Sequence, residues 1–212
     1  MDPSRADVRA TYEHIGDHFS KTRAYAWPEV EGFVEERDEV DLALDVGCGN
    51  GRHLEVLQRR ADRVLGLDVS RPLLDVATER VPAASLVLGD ASTLPIRSGI
   101  VDLAIYVATL HHLPSREARV ESLDELARVL APAGRALVSA WSTAHERFDA
   151  PAEAEEGFDT TVDWTLPDGE IVPRFYHIYA PAEFRADVES SALTIETFEI
   201  SSGNCYGTVR RS

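Results

Sequence analysis

The chain has 212 residues, with 37 acidic against 21 basic side chains, a single lysine (Lys21) and a formal net charge of −16. That length suits one domain with a full core, and the charge argues against a generic nucleic-acid coat protein while leaving room for RNA gripped locally by arginines. No apolar run reaches the length of a membrane span, no leader-like segment opens the chain, and Cys48 and Cys205 lack metal spacing, so a cytoplasmic protein with reduced thiols is expected.

The first predicted element is a helix over 4–19, with Ser4 as N-cap, Asp7 three residues on, and Val8, Tyr12, Ile15 and Phe19 on one stripe. His14 and His18 lie four apart but have no third ligand nearby, so no metal is expected. The stretch from His18 to Pro28 combines Lys21 and Arg23 with Phe19, Tyr25 and Trp27. It reads either as a linker packed over the domain or as a lid bringing cationic and stacking groups over a pocket. Pro28 opens a second helix, with Val30, Phe33 and Val34 inward.

Leu42–Val46 reads as a buried strand carrying Asp45, followed by Gly47-Cys48-Gly49-Asn50-Gly51-Arg52. Alternate glycines let a ligand lie against main-chain N–H groups. The dinucleotide fingerprint requires glycine at 52, where arginine stands, so a pyrophosphate is disfavoured. An acidic residue opening the loop suits a ligand with a positive end. A second strand ends at Asp68, which can accept from ribose hydroxyls. A third ends at Asp90, which can take the exocyclic amine of adenine. A fourth covers 101–108 and leads into Thr109-Leu110-His111-His112. A helix over 115–130 and a turn at 131–134 precede a fifth strand, 136–141. This alternation predicts a doubly wound α/β domain whose strand-end residues converge on one crevice.

From 142 to 172 the pattern weakens. This acidic stretch reads as a partly mobile insertion, its second half packed down by Phe158, Val162, Trp164 and Leu166. Arg174-Phe175-Tyr176-His177-Ile178-Tyr179 gathers a cation, an imidazole and three aromatic rings. A helix begins near Pro181, and strands over 193–200 and 205–209 form a hairpin across Ser201–Asn204.

The series DVGCGNG, LDVS, GDASTLP, VDLAIYVATLHHL and RVLAPAGRAL resembles the class I S-adenosylmethionine-dependent methyltransferases over about residues 45–140. The resemblance implies a Rossmann-like seven-stranded sheet of order 3-2-1-4-5-7-6 with the last strand antiparallel, and S-adenosyl-L-methionine as cofactor. It places Asp45, Gly47 and Gly51 along the methionine part, Asp68 at the ribose, Asp90 and Ala91 at the adenine, and Val107 beside the methionine end. Cys48, Gly49 and Val69 complete the expected cofactor-binding set. The whole chain is expected to be one domain: N-terminal helices and lid (1–40), cofactor core (41–141), substrate-side insertion (142–180), and C-terminal helix and hairpin (181–212). The acidic, lysine-poor composition resembles that of proteins from extreme halophiles and points to a halophilic archaeon, since molar salt shortens the Debye length to about 3 Å.

HFSKTRAYAWP, ATLHHL and IVPRFYHIY together resemble the tRNA wobble-uridine methyltransferases, which esterify 5-carboxymethyluridine at the first anticodon position. The implied acceptor is a carboxylate, already ionised at neutral pH and in need of orientation rather than a general base. Arg23 and Arg174 are the candidates to fork onto it, with His111 and His177 as further catalytic candidates. His18, Trp27, Tyr106, His112 and Tyr176 are candidates to hold or stack on an extruded anticodon base. The family implies a small zinc-containing activator subunit as partner besides the tRNA anticodon loop. The uncharged edge strand Ser85–Leu88 is the expected place for its strand addition. A small-molecule methyltransferase acting on a quinone precursor or carboxylic acid, and a non-catalytic S-adenosylmethionine-binding subunit, are the competing readings.

Overall fold

The computed structural model describes residues 4–148 and 154–212. Helix α1 (Arg5–Ser20) starts with the expected capping box between Ser4 and Asp7, and α2 (Pro28–Glu35) starts on its proline. The apolar run before the glycine loop forms β1 (Val40–Val46), after which α3 (Leu54–Leu57) is a single turn. Then follow β2 (Ala61–Asp68), α4 (Arg71–Arg80), β3 (Ser85–Leu88), β4 (Val101–Val107), α5 (Arg116–Val129) and β5 (Leu130–Trp141). The chain continues through β6 (Phe158–Thr165), β7 (Ile171–Ile178), α6 (Pro181–Glu189), β8 (Leu193–Ser201) and β9 (Asn204–Arg211).

Seven strands form one sheet in the order β3-β2-β1-β4-β5-β9-β8. With the separate β6–β7 hairpin set aside, this is the expected order 3-2-1-4-5-7-6. The first five strands are parallel and β9 runs antiparallel to both its neighbours. The pleat sends successive side chains to opposite faces. Leu42, Leu44 and Val46 join a core with α5 and α6, while Ala43 joins Val30, Phe33, Val34 and Leu57 of α2 and α3.

Two local expectations are corrected. The turn expected at 131–134 lies inside β5: Leu130 pairs with Val101 and Arg135 with Leu103, so the residues between bulge out of register. The C-terminal loop has two residues, not four. Ser202 and Gly203 both have positive φ (50° and 75°), which suits a tight hairpin between right-twisted strands. The second half of the 142–172 stretch packs down as expected, with β6 and the start of β7 in a hairpin where Val162 is buried, while 149–153 lie outside the described residues.

Two contacts bring outlying elements over the carboxyl ends of the strands. Gly16 of α1 packs against Pro72, and the Ser70 hydroxyl donates to the Tyr12 carbonyl (3.0 Å). Tyr12 and Ile15 share a small core with Leu73 of α4 and Val172 of β7, against which Trp164 and Leu166 pack.

Candidate functional site

The strand ends open into two hollows, of about 590 Å³ and about 130 Å³, which share Phe19, Gly47, Gly49, Ala108, Thr109 and His112. The glycine loop forms the common wall. Gly47 has φ 77°, and a Cβ there would collide with Thr109. Ala108, the residue after β4, is itself held at φ 55°. A residue with a Cβ is strained in that left-handed turn, where the two hollows meet.

Asp68, Val69, Asp90 and Ala91 line the smaller hollow together. The Asp68 carboxylate accepts from the N–H groups of Gly49 and Ser70 (both 2.8 Å). Each of its oxygens keeps further acceptor capacity for a hydroxyl. Asp90 accepts from the Ser92 N–H (2.8 Å) and hydroxyl (2.7 Å), and Arg5 reaches across from α1 to both residues. Gly47 and Gly49 line both hollows, and Cys48 and Val107 line the larger one. A Cβ on Gly49 would meet open space, so the loop presents bare backbone there.

Asp45 is buried at the end of β1, and its Oδ2 has no hydrogen-bond partner. Burial, together with the charge of Asp68, raises its pKa to about 8. An orphaned buried carboxylate oxygen at the head of a bare glycine loop fits the positive end of S-adenosylmethionine.

The larger hollow is lined mainly by cations. Arg23, Arg52, Arg147 and Arg174 line it against one carboxylate, Glu29. None of the four is ion-paired with a carboxylate among the described residues. The Arg174 guanidinium is buried over Trp164, Tyr176 and Phe19 (5.0, 5.3 and 5.7 Å), donates to the Tyr176 hydroxyl (2.7 Å), and leaves Nε without a partner. Arg23 lies over the same Phe19 ring (4.6 Å). Burial holds the Arg23 pKa below its usual value, and the charge of Arg174 pushes the same way.

The two adjacent histidines both belong to this hollow. The Trp141 N–H donates to Nδ1 of His111 (2.8 Å), which leaves Nε2 as its protonated nitrogen. Nδ1–H of His112 donates to the Phe175 carbonyl (3.0 Å), so its Nε2 accepts from the Tyr12 hydroxyl (2.9 Å). Burial pushes His111 well down and His112 to about 4, so both are neutral at pH 7. Trp27 and Tyr176 also line the larger hollow.

Five expected site residues line neither hollow, and the first of them is Asp45, whose carboxylate is buried in β1. Tyr106 is fully buried on the opposite face of β4 from Val107, its hydroxyl bonded to Ser122 of α5 (2.6 Å). The pleat places it in the core rather than beside a base. His177 lines neither hollow; its ring nitrogens face Asp159 (2.7 Å) and Glu183 (2.9 Å), tying β6 to α6. Nδ1 of His18 accepts from the Trp164 indole (3.2 Å) and so anchors the hairpin to α1. Gly51 also lines neither hollow: at φ 79° it lets Ala77 of α4 pack where a Cβ would lie 3.2 Å away.

Trp141, Arg52, Arg147, His145, Asn204 and Tyr206 line the larger hollow without having been singled out for it. The strand-end rule reaches Trp141, which closes β5 as Asp45 closes in on the end of β1. Arg52 follows the glycine loop directly. Arg147 lies in the loop after β5 and Asn204 opens β9, neither within a recognisable motif.

Residues 44–138 match the Methyltransferase domain family. The chain carries a class I methyltransferase domain, and its cofactor is S-adenosylmethionine. Among its relatives is the mouse tRNA (carboxymethyluridine(34)-5-O)-methyltransferase ALKBH8, 38% identical over 139 residues, which are 66% of this chain and 20% of that protein. The Saccharomyces cerevisiae tRNA (carboxymethyluridine(34)-5-O)-methyltransferase is 34% identical over 169 residues, 79% of this chain and 59% of that protein. The chain thus spans well under two thirds of the length of either. The fold is also that of a chain in the complex between the Haloferax volcanii Trm112 methyltransferase activator and a methyltransferase, with a TM-score of 0.70, 16% identity, and coverage of 96% of this chain and 97% of that one.

Proposed function

We propose that the protein methylates the carboxylate of a carboxymethylated wobble uridine in the anticodon loop of tRNA. The observation that carries this reading is the larger hollow: four arginines with no carboxylate partner among the described residues, lined with aromatic rings, in a chain of net charge −16. Such a hollow selects an anion with a flat apolar body, as a modified base with its own carboxylate and phosphates is. The names of the mouse and yeast relatives specify that acceptor for those proteins.

S-adenosylmethionine supplies the methyl group. Asp45 and the backbone of Gly47 and Gly49 hold its methionine end, Asp68 its ribose, and Asp90 with Ala91 its adenine. The acceptor carboxylate is ionised at pH 7, so no residue need remove a proton. Arg174 and Arg23 orient its oxygens; a guanidinium forks onto a carboxylate with two parallel hydrogen bonds. Neutral His111 and His112 add hydrogen-bonding groups without further charge, and Trp27 and Tyr176 stack on the base. Such positioning supplies about 7–11 kcal/mol of the barrier reduction in favourable cases.

A small zinc-containing activator subunit is part of the proposal. β3 is the edge strand of the main sheet, has no charged residue, and exposes Leu88. Ser85–Leu88 therefore offers an open edge for strand addition. No helix of the described residues is long and apolar enough to cross a membrane, and we place the reaction in the cytoplasm.

The test is methyl transfer to an anticodon stem-loop carrying carboxymethyluridine at the wobble position, with and without a co-expressed activator. Ester formation is expected, and its absence under both conditions overturns the assignment. Esterification of free carboxylic acids in preference to the RNA would favour a small-molecule enzyme.

A further inference from the structure

The ring of Tyr25 is 84% exposed, on the loop between α1 and α2. Nothing packs on it, yet the backbone that carries it is braced from three sides. The Asn50 amide donates to the carbonyls of Ser20 (3.1 Å) and Arg23 (3.0 Å). Arg80, itself paired with Glu55 (2.7 Å), donates to the carbonyls of Arg23 (3.3 Å) and Ala24 (2.6 Å). Arg52 donates to the carbonyl of Tyr25 itself (3.4 Å), and the Trp27 N–H to His53 Nε2 (3.4 Å). A frayed loop exposes side chains because its backbone wanders; here the backbone is fixed and the ring still faces water.

Arg52 joins this rim to the larger hollow, which it lines. Its guanidinium lies over the Trp27 ring (4.9 Å) and has no carboxylate partner among the described residues. Burial lowers its pKa to about 10, and the charge of Arg23 pushes the same way, so a nearby anion would relieve it. An exposed, preoriented aromatic ring beside an unpaired cation is the pairing by which proteins hold a single-stranded nucleotide: the ring stacks on the base and the cation meets the phosphate.

We propose that Tyr25 and Arg52 form a subsite for a nucleotide adjoining the methyl acceptor, with Tyr25 stacked on its base and Arg52 against the phosphate between the two. This rests on the RNA reading above. A protein partner is disfavoured at this rim because the ring is continuous with a cationic hollow, whereas the open apolar edge lies at β3.

The experiment is a cycle between Tyr25→Ala and a stem-loop whose two nucleotides flanking the carboxymethyluridine are abasic, using the enzyme with its activator. With the intact stem-loop, Tyr25→Ala should raise KM about 10-fold with kcat unchanged, and Tyr25→Trp should keep the wild-type KM. Abasic flanks should raise the wild-type KM by a similar factor and leave that of Tyr25→Ala unchanged, since the same contact is then already gone. Arg52→Gln should reduce the salt slope of stem-loop binding by about one. The exposure of Tyr25 makes misfolding of its variants a minor concern. Losses that simply add, or a Tyr25→Ala KM equal to wild type on a stem-loop that wild type methylates, overturn the subsite and leave the acceptor assignment standing. Weaker activator binding by Tyr25→Ala with an unchanged KM would assign the ring to the protein partner instead. Failure of wild type to methylate any stem-loop overturns both proposals.

Discussion

The two hollows adjoin across the glycine loop but treat charge in opposite ways. In the smaller one, Arg5 pairs with Asp90, and Arg9 is paired along α1 with Glu13 outside the hollow. In the larger one, four guanidiniums face the space with one carboxylate among them and no ion pair among the described residues. The smaller hollow thus sets two arginines against Asp68 and Asp90, whereas the larger one stays cationic, as the proposed anionic acceptor requires. The difference shows that net charge says little about a site: a chain of −16 builds a locally positive cavity by excluding its own acids from it.

The comparison breaks first at Arg174. Arg174→Ala should lower kcat/KM on the carboxymethyluridine stem-loop by about 100-fold while cofactor affinity stays within about twofold, because the lost contact belongs to the acceptor side. Steady-state kinetics and calorimetry separate the two, and a matching loss of cofactor binding would place Arg174 on the other side of the boundary.

Asp45 comes next. An acid whose folded pKa of about 8 exceeds its ordinary 3.8 binds more protons in the native than in the unfolded state between those values, so the ligand-free protein should lose stability as pH rises through that window. The ionised form attracts a cationic ligand, so cofactor affinity should rise with pH up to about 8. Asp45→Asn should flatten that profile and weaken binding about 10-fold at pH 8. A flat wild-type titration would remove Asp45 from the site.

Smaller effects come from residues that hold the halves together. Burial pushes the Glu183 carboxyl up, but hydrogen bonds from His177 and the Gly157 N–H pull it net below its ordinary 4.5. Its stabilising contribution is therefore present above pH 4.5 and lost as pH falls through the lower folded value. His177→Gln should weaken the β6–α6 tie by about 1–2 kcal/mol, read as a lower Tm, and soften that acid dependence. Smallest of all, Tyr106→Phe should cost about 1 kcal/mol through the lost bond to Ser122 and leave kinetics unchanged. A KM effect there would return Tyr106 to the acceptor site.

The fold was largely legible because its signals are local. Ser4 with Asp7, Pro28, the glycine loop and the strand-end acids each state a backbone requirement within a few residues. The acceptor side was legible only in part. Arg23, Trp27, Arg174 and Tyr176 were picked out as clustered cations and rings and do line one hollow, but His18 and His177 sat in the same clusters and became fasteners. A cluster in sequence does not say which member faces the space.

What the sequence by itself determined was the cofactor half: right-handed crossovers carry the ends of parallel strands to one edge, so Asp68 and Asp90 had to converge wherever the helices packed. Only the tertiary structure decided the acceptor half. The pleat of β4 sent Tyr106 into the core and Val107 to the hollow, and Gly51 went to helix packing. Arg52, Arg147 and Asn204 were brought beside Arg23 and Arg174 by folding of the hairpins and the braced α1–α2 loop over the strand ends. Those contacts join residues far apart in the chain, and no local rule of backbone geometry encodes them.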